Sequence, residues 1–256
     1  MKYGIVMIVL FGIALANTGC LVSEDNSIPA PARLRLINTV PEQTYSLLGN
    51  DEALAANIPF DSVTPYGYAF PGFYNMSLVD TKSNKSILAK QLIQSDLRYS
   101  FYVIPDSAST AGNIKGFKLS LVNDTKRQQI KDTFYIRFLH FSPKQSSDAT
   151  TPTQLFLKTY RERGTSNLFD STIQNNFTRR SFNDISVRTQ YASFEKLEEG
   201  NYKFGFFDGN DSSRQYETTK KYFSANKYYT LYLVGFKNGT GIHAWKVNID
   251  SVNNTF

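Results

Sequence analysis

The feature that most constrains this chain is a strand-like run that occurs twice and stops each time at a proline. The later copy is Tyr135-Ile136-Arg137-Phe138-Leu139-His140-Phe141-Ser142-Pro143, and the earlier is Arg33-Leu34-Arg35-Leu36-Ile37-Asn38-Thr39-Val40-Pro41. Laid on each other, Arg35 meets Arg137 and Asn38 meets His140, and the arginine precedes the proline by six residues in both. Proline cannot donate to a sheet ladder, so it marks the end of each strand. A Gly-x-Tyr element also recurs, at Gly72 and Gly200. It is followed 27 residues later by Tyr99 in the first copy and 28 residues later by Tyr228 in the second. Two copies this far apart predict tandem domains instead of a solenoid.

The runs between these landmarks are short, rich in Tyr and Phe (16 and 20) and bounded by turn residues. That pattern favours strands over helices. Tyr74, Met76 and Leu78 alternate with polar neighbours, as a half-buried strand requires. Asp51–Ala56 reads as a short helical turn. The reading is all-β, with a first domain over 32–123, a linker over 124–132 and a second domain over 133–256. Arginine to glycine is 37 residues in the first copy and 63 in the second. The second domain therefore carries an insertion, placed near 161–183.

The N-terminus reads as an address. Gly4 to Ala16 is an apolar run too short to span a bilayer, which takes about 20 residues, and suited to a signal peptide over 1–19. It leads into Asn17-Thr18-Gly19-Cys20, which resembles a bacterial lipobox. In that class the cysteine thiol carries a diacylglycerol and the new amine is acylated, so Cys20 is the expected lipidation site and the membrane an expected partner. Residues 20–31 are the tether. Glu24-Asp25 resembles the surface-export signal of Bacteroidetes-type lipoproteins. The expected place is the bacterial outer membrane, facing outward, with a periplasmic face as the alternative.

The opening strand Ile136–Pro143 and the late strand Tyr228-Tyr229-Thr230-Leu231-Tyr232-Leu233-Val234-Gly235 resemble the domain of unknown function 4397 family of exported bacterial proteins. The second copy carries the closer likeness, since Asn38 replaces the histidine in the first and Ile104-Pro105 stands where glycine ends the late strand. The resemblance implies two tandem immunoglobulin-like or transthyretin-like β-sandwich domains over residues 32–250. Some members are described as adhesins, which implies a surface binding role.

Little in the sequence points to catalysis. One cysteine allows no internal disulfide, and two histidines, His140 and His243, are few for a zinc site. Both histidines fall in strand-like runs and read as structural. Asp208-Gly209-Asn210-Asp211 has oxygen ligands but reads as a hairpin turn. Glu195, Glu198 and Glu199 could form a glycosidase pair only in a cleft. No cofactor or metal is expected. The net charge of +6 is scattered and lacks the dense basic tract of a nucleic-acid groove. Arg161, Arg163, Arg179 and Arg180 in the insertion are the candidate contacts for an acidic or sulfated polymer. Trp245, beside Tyr228, Tyr229 and Tyr232, is the candidate sugar-stacking residue, with core packing as the plainer role. Four Asp-(Ser/Thr) tripeptides, at Asp61, Asp106, Asp170 and Asp250, resemble O-glycosylation acceptors. The expectation is a non-enzymatic, lipid-anchored surface binding or adhesion protein with a glycan or protein ligand. Its alternatives are a component of carbohydrate processing and a structural envelope spacer.

Overall fold

The computed structural model describes residues 28–125, 131–144, 154–164 and 167–252. The first half supplies β1 (Ala32–Asn38), β2 (Tyr45–Gly49), β3 (Glu52–Ile58), β4 (Ser62–Val63), β5 (Gly67–Ala69), β6 (Gly72–Asp80), β7 (Ser86–Ile93), β8 (Arg98–Pro105) and β9 (Phe117–Asn123). The second supplies β10 (Thr133–His140), β11 (Leu155–Glu162), β12 (Phe169–Thr172), β13 (Glu195–Glu198), β14 (Gly200–Asp208), β15 (Arg214–Glu217), β16 (Lys221–Phe223), β17 (Tyr228–Val234) and β18 (Lys246–Val252). The protein is all-β, and each half is a β-sandwich.

The two halves share one topology. In each, the opening strand pairs parallel with the late strand, β1 with β8 and β10 with β17. The closing strand adds to the late strand's other side, giving β1-β8-β9 and β10-β17-β18. The second sheets are β3-β2-β6-β7 and β12-β11-β14-β15, with β16 also on β14. Gly72 and Gly200 open the matched strands β6 and β14 with φ of 152° and 150°. That region of backbone space is open mainly to glycine, which explains why the residue recurs.

Each opening strand is buried on both faces. Leu34, Leu36, Tyr99, Phe101 and Val103 pack inward on Leu47, Met76 and Leu78 of the facing sheet. Phe134, Ile136, Phe138, Tyr229, Leu231 and Leu233 do the same against Leu155, Leu157, Phe204 and Phe206. The opposite faces meet each other. Ile37, Tyr102, Ile104 and Val122 of the first half form one cluster with Leu139, Phe141, Tyr232 and Val234 of the second. The order of layers is therefore sheet, sheet, seam, sheet, sheet.

The repeated arginines lie in that seam. Arg35 is 6% exposed and Arg137 is 0%. Each sends Nε to the hydroxyl paired with it on the late strand, Ser100 at 2.6 Å and Thr230 at 2.9 Å. Each is covered by a ring just before the edge strand, Tyr66 at 4.7 Å and Phe194 at 4.5 Å. Each takes a carboxylate from the other half: Arg35 Nη2 reaches Asp250 at 2.5 Å, and Arg137 Nη2 binds Asp124. Asp124 also accepts from Ser100 Oγ and from Tyr66 Oη, the latter at 2.7 Å.

Several expectations change here. Asp124 is not linker but a fully buried hub, and its N–H extends the β9 ladder to Arg98 O. Residues 126–130 of the linker, and Cys20 with the signal and most of the tether, lie outside the described residues. The expected helical turn at 51–56 is β3, because Asn50 and Asp51 both take positive φ and close a tight hairpin. The added residues of the second half fall at 173–194, between β12 and β13. This is later than 161–183, because Arg161 and Glu162 belong to β11 and Phe169–Thr172 forms its own strand.

Removing one partner of a buried ion pair strands the other charge, at a cost of roughly 3–5 kcal/mol. Asp124→Ala should lower the stability of the whole chain by about that much in urea denaturation. Adding Arg137→Met should recover a large part of the loss.

Candidate functional site

The added segment after β12 folds back into the seam. It forms three 3₁₀ turns, Asn175–Phe177, Asp184–Ser186 and Thr189–Ala192. Ile185 is buried there, with Phe182, Tyr191 and Ala192 packed alongside. Arg180 fixes the segment. Its backbone bridges Leu155 in both directions, and its guanidinium gives Asp184 two bonds at 2.8 and 2.9 Å and Asn176 O one at 3.0 Å. The charge lies over Phe138 at 5.2 Å and Tyr191 at 4.8 Å. A bidentate pair of this kind is worth more than an exposed one, because both groups are shielded from water.

This packing opens a groove of about 390 Å³ where the segment meets the first half. That lies within the ~300–1,000 Å³ of ordinary ligand clefts. Ser107 and Lys118 line it from the first half. Gln154, Arg179, Asn183, Arg188 and Tyr191 line it from the second. Ser120 Oγ bonds Asn183 Oδ1 at 3.0 Å across the seam, and Asn183 N donates to His140 O at 2.7 Å. Arg188 Nη1 donates to Tyr191 Oη at 3.0 Å. Lys118 pairs with Asp106 at 3.4 Å, a contact half open to water. Asp184 also lines the groove, but Arg180 and the Ser181 N–H occupy its oxygens. The rim is therefore cationic, over a floor of amides and hydroxyls.

The structure separates the five expected contact residues. Arg179 is exposed at the groove rim, in a positive-φ position. Arg180 is fully buried, so the expectation that it meets a ligand gives way to a packing role. Arg161 pairs with Glu198 and donates to Glu199 O at 3.1 Å, and Arg163 pairs with Asp170. Both sit on β11 or just past it, apart from the groove. Trp245 is half-buried against the second core and donates to Ser142 Oγ at 2.5 Å. Its expected neighbours are inside as well: Tyr228 stacks on Tyr135 at 4.7 Å, Tyr229 is in the core, and Tyr232 meets Tyr102 at 5.5 Å. The sequence alone does not mark Lys118 or Arg188 as groove residues. Lys118 alternates outward on β9, but nothing local shows that β9 borders the segment.

The acids are mostly engaged. Glu195 caps the Asn176 N–H at 3.1 Å, and Glu199 takes the Ala225 N–H at 3.2 Å. Among the described residues no group of three or more His, Cys, Asp or Glu could hold a metal. His243 lies in a 3₁₀ turn, not a strand, 3.1 Å from Glu42 of the first half. Of the tripeptide aspartates, Asp61 binds Lys246 and Asn248 across the seam, Asp170 pairs with Arg163, and Asp250 holds Arg35.

Residues 32–147 match the profile of a domain of unknown function (DUF4397). This stretch resembles that family. The match takes in the first copy and the opening strand of the second, so the closer likeness is not with the second copy. No curated protein matches the chain. Among solved structures, CBMbc (family CBM26) of Eubacterium rectale Amy13K, crystallised with maltoheptaose, is 10% identical. The comparison covers 88% of this chain and 98% of that one, with a TM-score of 0.23, too low to bear on fold or ligand.

His140 stands beneath the segment. Burial foremost pulls its pKa down to about 4, with Arg180 adding to the depression and Asp184 opposing it. A base held neutral in the fold binds its proton more readily when unfolded, so this stabilisation is full above about pH 6.5 and fades as pH falls toward 4. The loss amounts to about 3 kcal/mol. Urea midpoints from pH 7 to pH 4 should show that decline, and His140→Asn, the residue of the first copy, should flatten it.

Proposed function

We propose that this protein is a non-enzymatic binding module of the bacterial cell envelope, held by lipid on Cys20, which takes an acidic polysaccharide in the groove between its halves. The observation that carries the reading is the composition of the groove. Arg179, Arg188 and Lys118 supply positive charge at the rim, and Gln154, Asn183 and Ser107 supply the amides and hydroxyl that suit sugar hydroxyls. The Tyr191 ring, backed by Arg180, supplies a flat face. Because both halves build the groove, its shape is set by the seam instead of by a free loop. A carbohydrate-processing role is less favoured, since Glu195, Glu198 and Glu199 are engaged in capping and pairing.

Calorimetric titration against uronic-acid-bearing and sulfated oligosaccharides tests this directly. Charge-assisted contacts are worth roughly 1.5–3 kcal/mol each. Arg179→Ala with Arg188→Ala should therefore weaken binding by about tenfold or more, and added salt should weaken the wild type in the same direction. Binding that is indifferent to both changes would move the ligand elsewhere.

A further inference from the structure

The two halves run in the same sense, so the protein has two distinct ends. Asp61 meets Lys246 at the end where β1 finishes, and Arg35 meets Asp250 midway along β1; the second end is the one where β1 begins. Gly72 and Gly200 both start their strands at that second end. The chain also arrives there from its N-terminus. Ala30 O accepts the Ser95 hydroxyl at 2.9 Å and the Asp96 N–H at 3.3 Å, which pins the last tether residues to the β7–β8 turn.

This end exposes a cluster of large apolar side chains. Phe70-Pro71-Gly72-Phe73 forms a turn whose two rings are 69% and 66% exposed. Tyr74 Oη donates to Phe70 O at 3.0 Å and holds the turn in shape. Leu92 lies directly opposite Phe73 on β7 and is also exposed. In the second half Leu168 (62%) and Tyr222 (54%) stand at the same level, Tyr222 opposite Asn201. Cations border the patch. Lys90 reaches over the Phe73 ring at 5.3 Å, and Lys221 lies beside Tyr222.

We propose that this end rests in the membrane interface, with Phe70 and Phe73 inserted among lipid headgroups. The inference rests on the lipid-anchor reading given above. The eight steps from Cys20 to Ile28 extend at most about 29 Å, so a lipid on Cys20 would keep this end nearer the bilayer than the far end. Exposed aromatics flanked by lysine are the side chains that suit an anionic headgroup layer. The ligand groove lies at the far end. Lys118 pairs with Ile104, six residues along β8 from Arg98, or about 20 Å farther from the bilayer.

The test replaces Cys20 with an N-terminal histidine tag on the chain from residue 21. The protein is captured on nickel-chelating vesicles of phosphatidylethanolamine and phosphatidylglycerol. In single variants Phe73→Trp and Ile242→Trp, quenching by brominated lipids is compared after subtracting the Trp245 signal of the parent. Ile242 is exposed at the groove end and serves as the reference. The expected result is several-fold stronger quenching at position 73 than at 242, falling when Phe70→Ser is added. Equal, weak quenching at both positions overturns the proposal. Because the tag stands in for the lipid, this result does not depend on acylation. The mass of the protein extracted from native membranes decides the anchor separately. An unacylated Cys20 with strong quenching at 73 would retain the membrane-facing end and discard the anchor. An acylated Cys20 with no quenching would do the reverse.

Discussion

Two buried guanidiniums hold the halves of this protein together, each bonded to a carboxylate across the seam. Arg35 and Arg137 sit at matched positions, bond matched hydroxyls and lie under matched rings. Arg137 draws its carboxylate from the first half, whereas Arg35 has Asp124 of its own half at 3.8 Å as well as Asp250 of the second. An unpaired buried charge costs several kcal/mol, so a separated half would have to expose its arginine and with it Ile37 and Tyr102, or Leu139 and Tyr232. The pairing therefore explains why both faces of the opening strands are closed to water. The symmetry is incomplete. Asp250 lies within β18, whereas Asp124 lies just beyond β9, and Asp124 alone gathers Ser100, Tyr66 and Arg137.

The asymmetry extends to the 173–194 segment, which is present in one half and fills the seam. Its Ile185 and Phe182 complete the apolar cluster, and Arg180 ties it to Phe138 of the opening strand. A loop fastened in this way does not reach out toward a partner. It shapes a fixed groove at one end of the protein, while the exposed Phe70 and Phe73 lie at the other.

Much of this fold was legible because strands carry their own punctuation. The Arg…Pro run, the Gly-x-Tyr element and the late Tyr-rich strand located β1, β6 and β8 and their counterparts. The residues also showed that the strands are buried, but not that one face meets the core and the other a second half. Parallel pairing of β1 with β8 is a long-range event with no local mark. Asp124 was hidden by its polar neighbours, which read as linker, and Asp250 by a tripeptide that resembles a modification site. In the sequence Arg180 reads as a surface charge, because its partner, Asp184, four residues on, reads equally well as solvated. Asp51–Ala56 failed for a different reason: its alanines favour helix, but the Asn50-Asp51 turn fixes a hairpin before propensity can act.

Ion pairs and an apolar cluster shared across the seam make the two halves one cooperative body. Scanning calorimetry of the chain from residue 21 tests it most directly, because two independent sandwiches would melt apart. A single transition at pH 7, with calorimetric and van't Hoff enthalpies that agree, is the expected result. Two resolved transitions, or a calorimetric enthalpy well above the van't Hoff value, would contradict it and reduce the seam to a contact between separate domains.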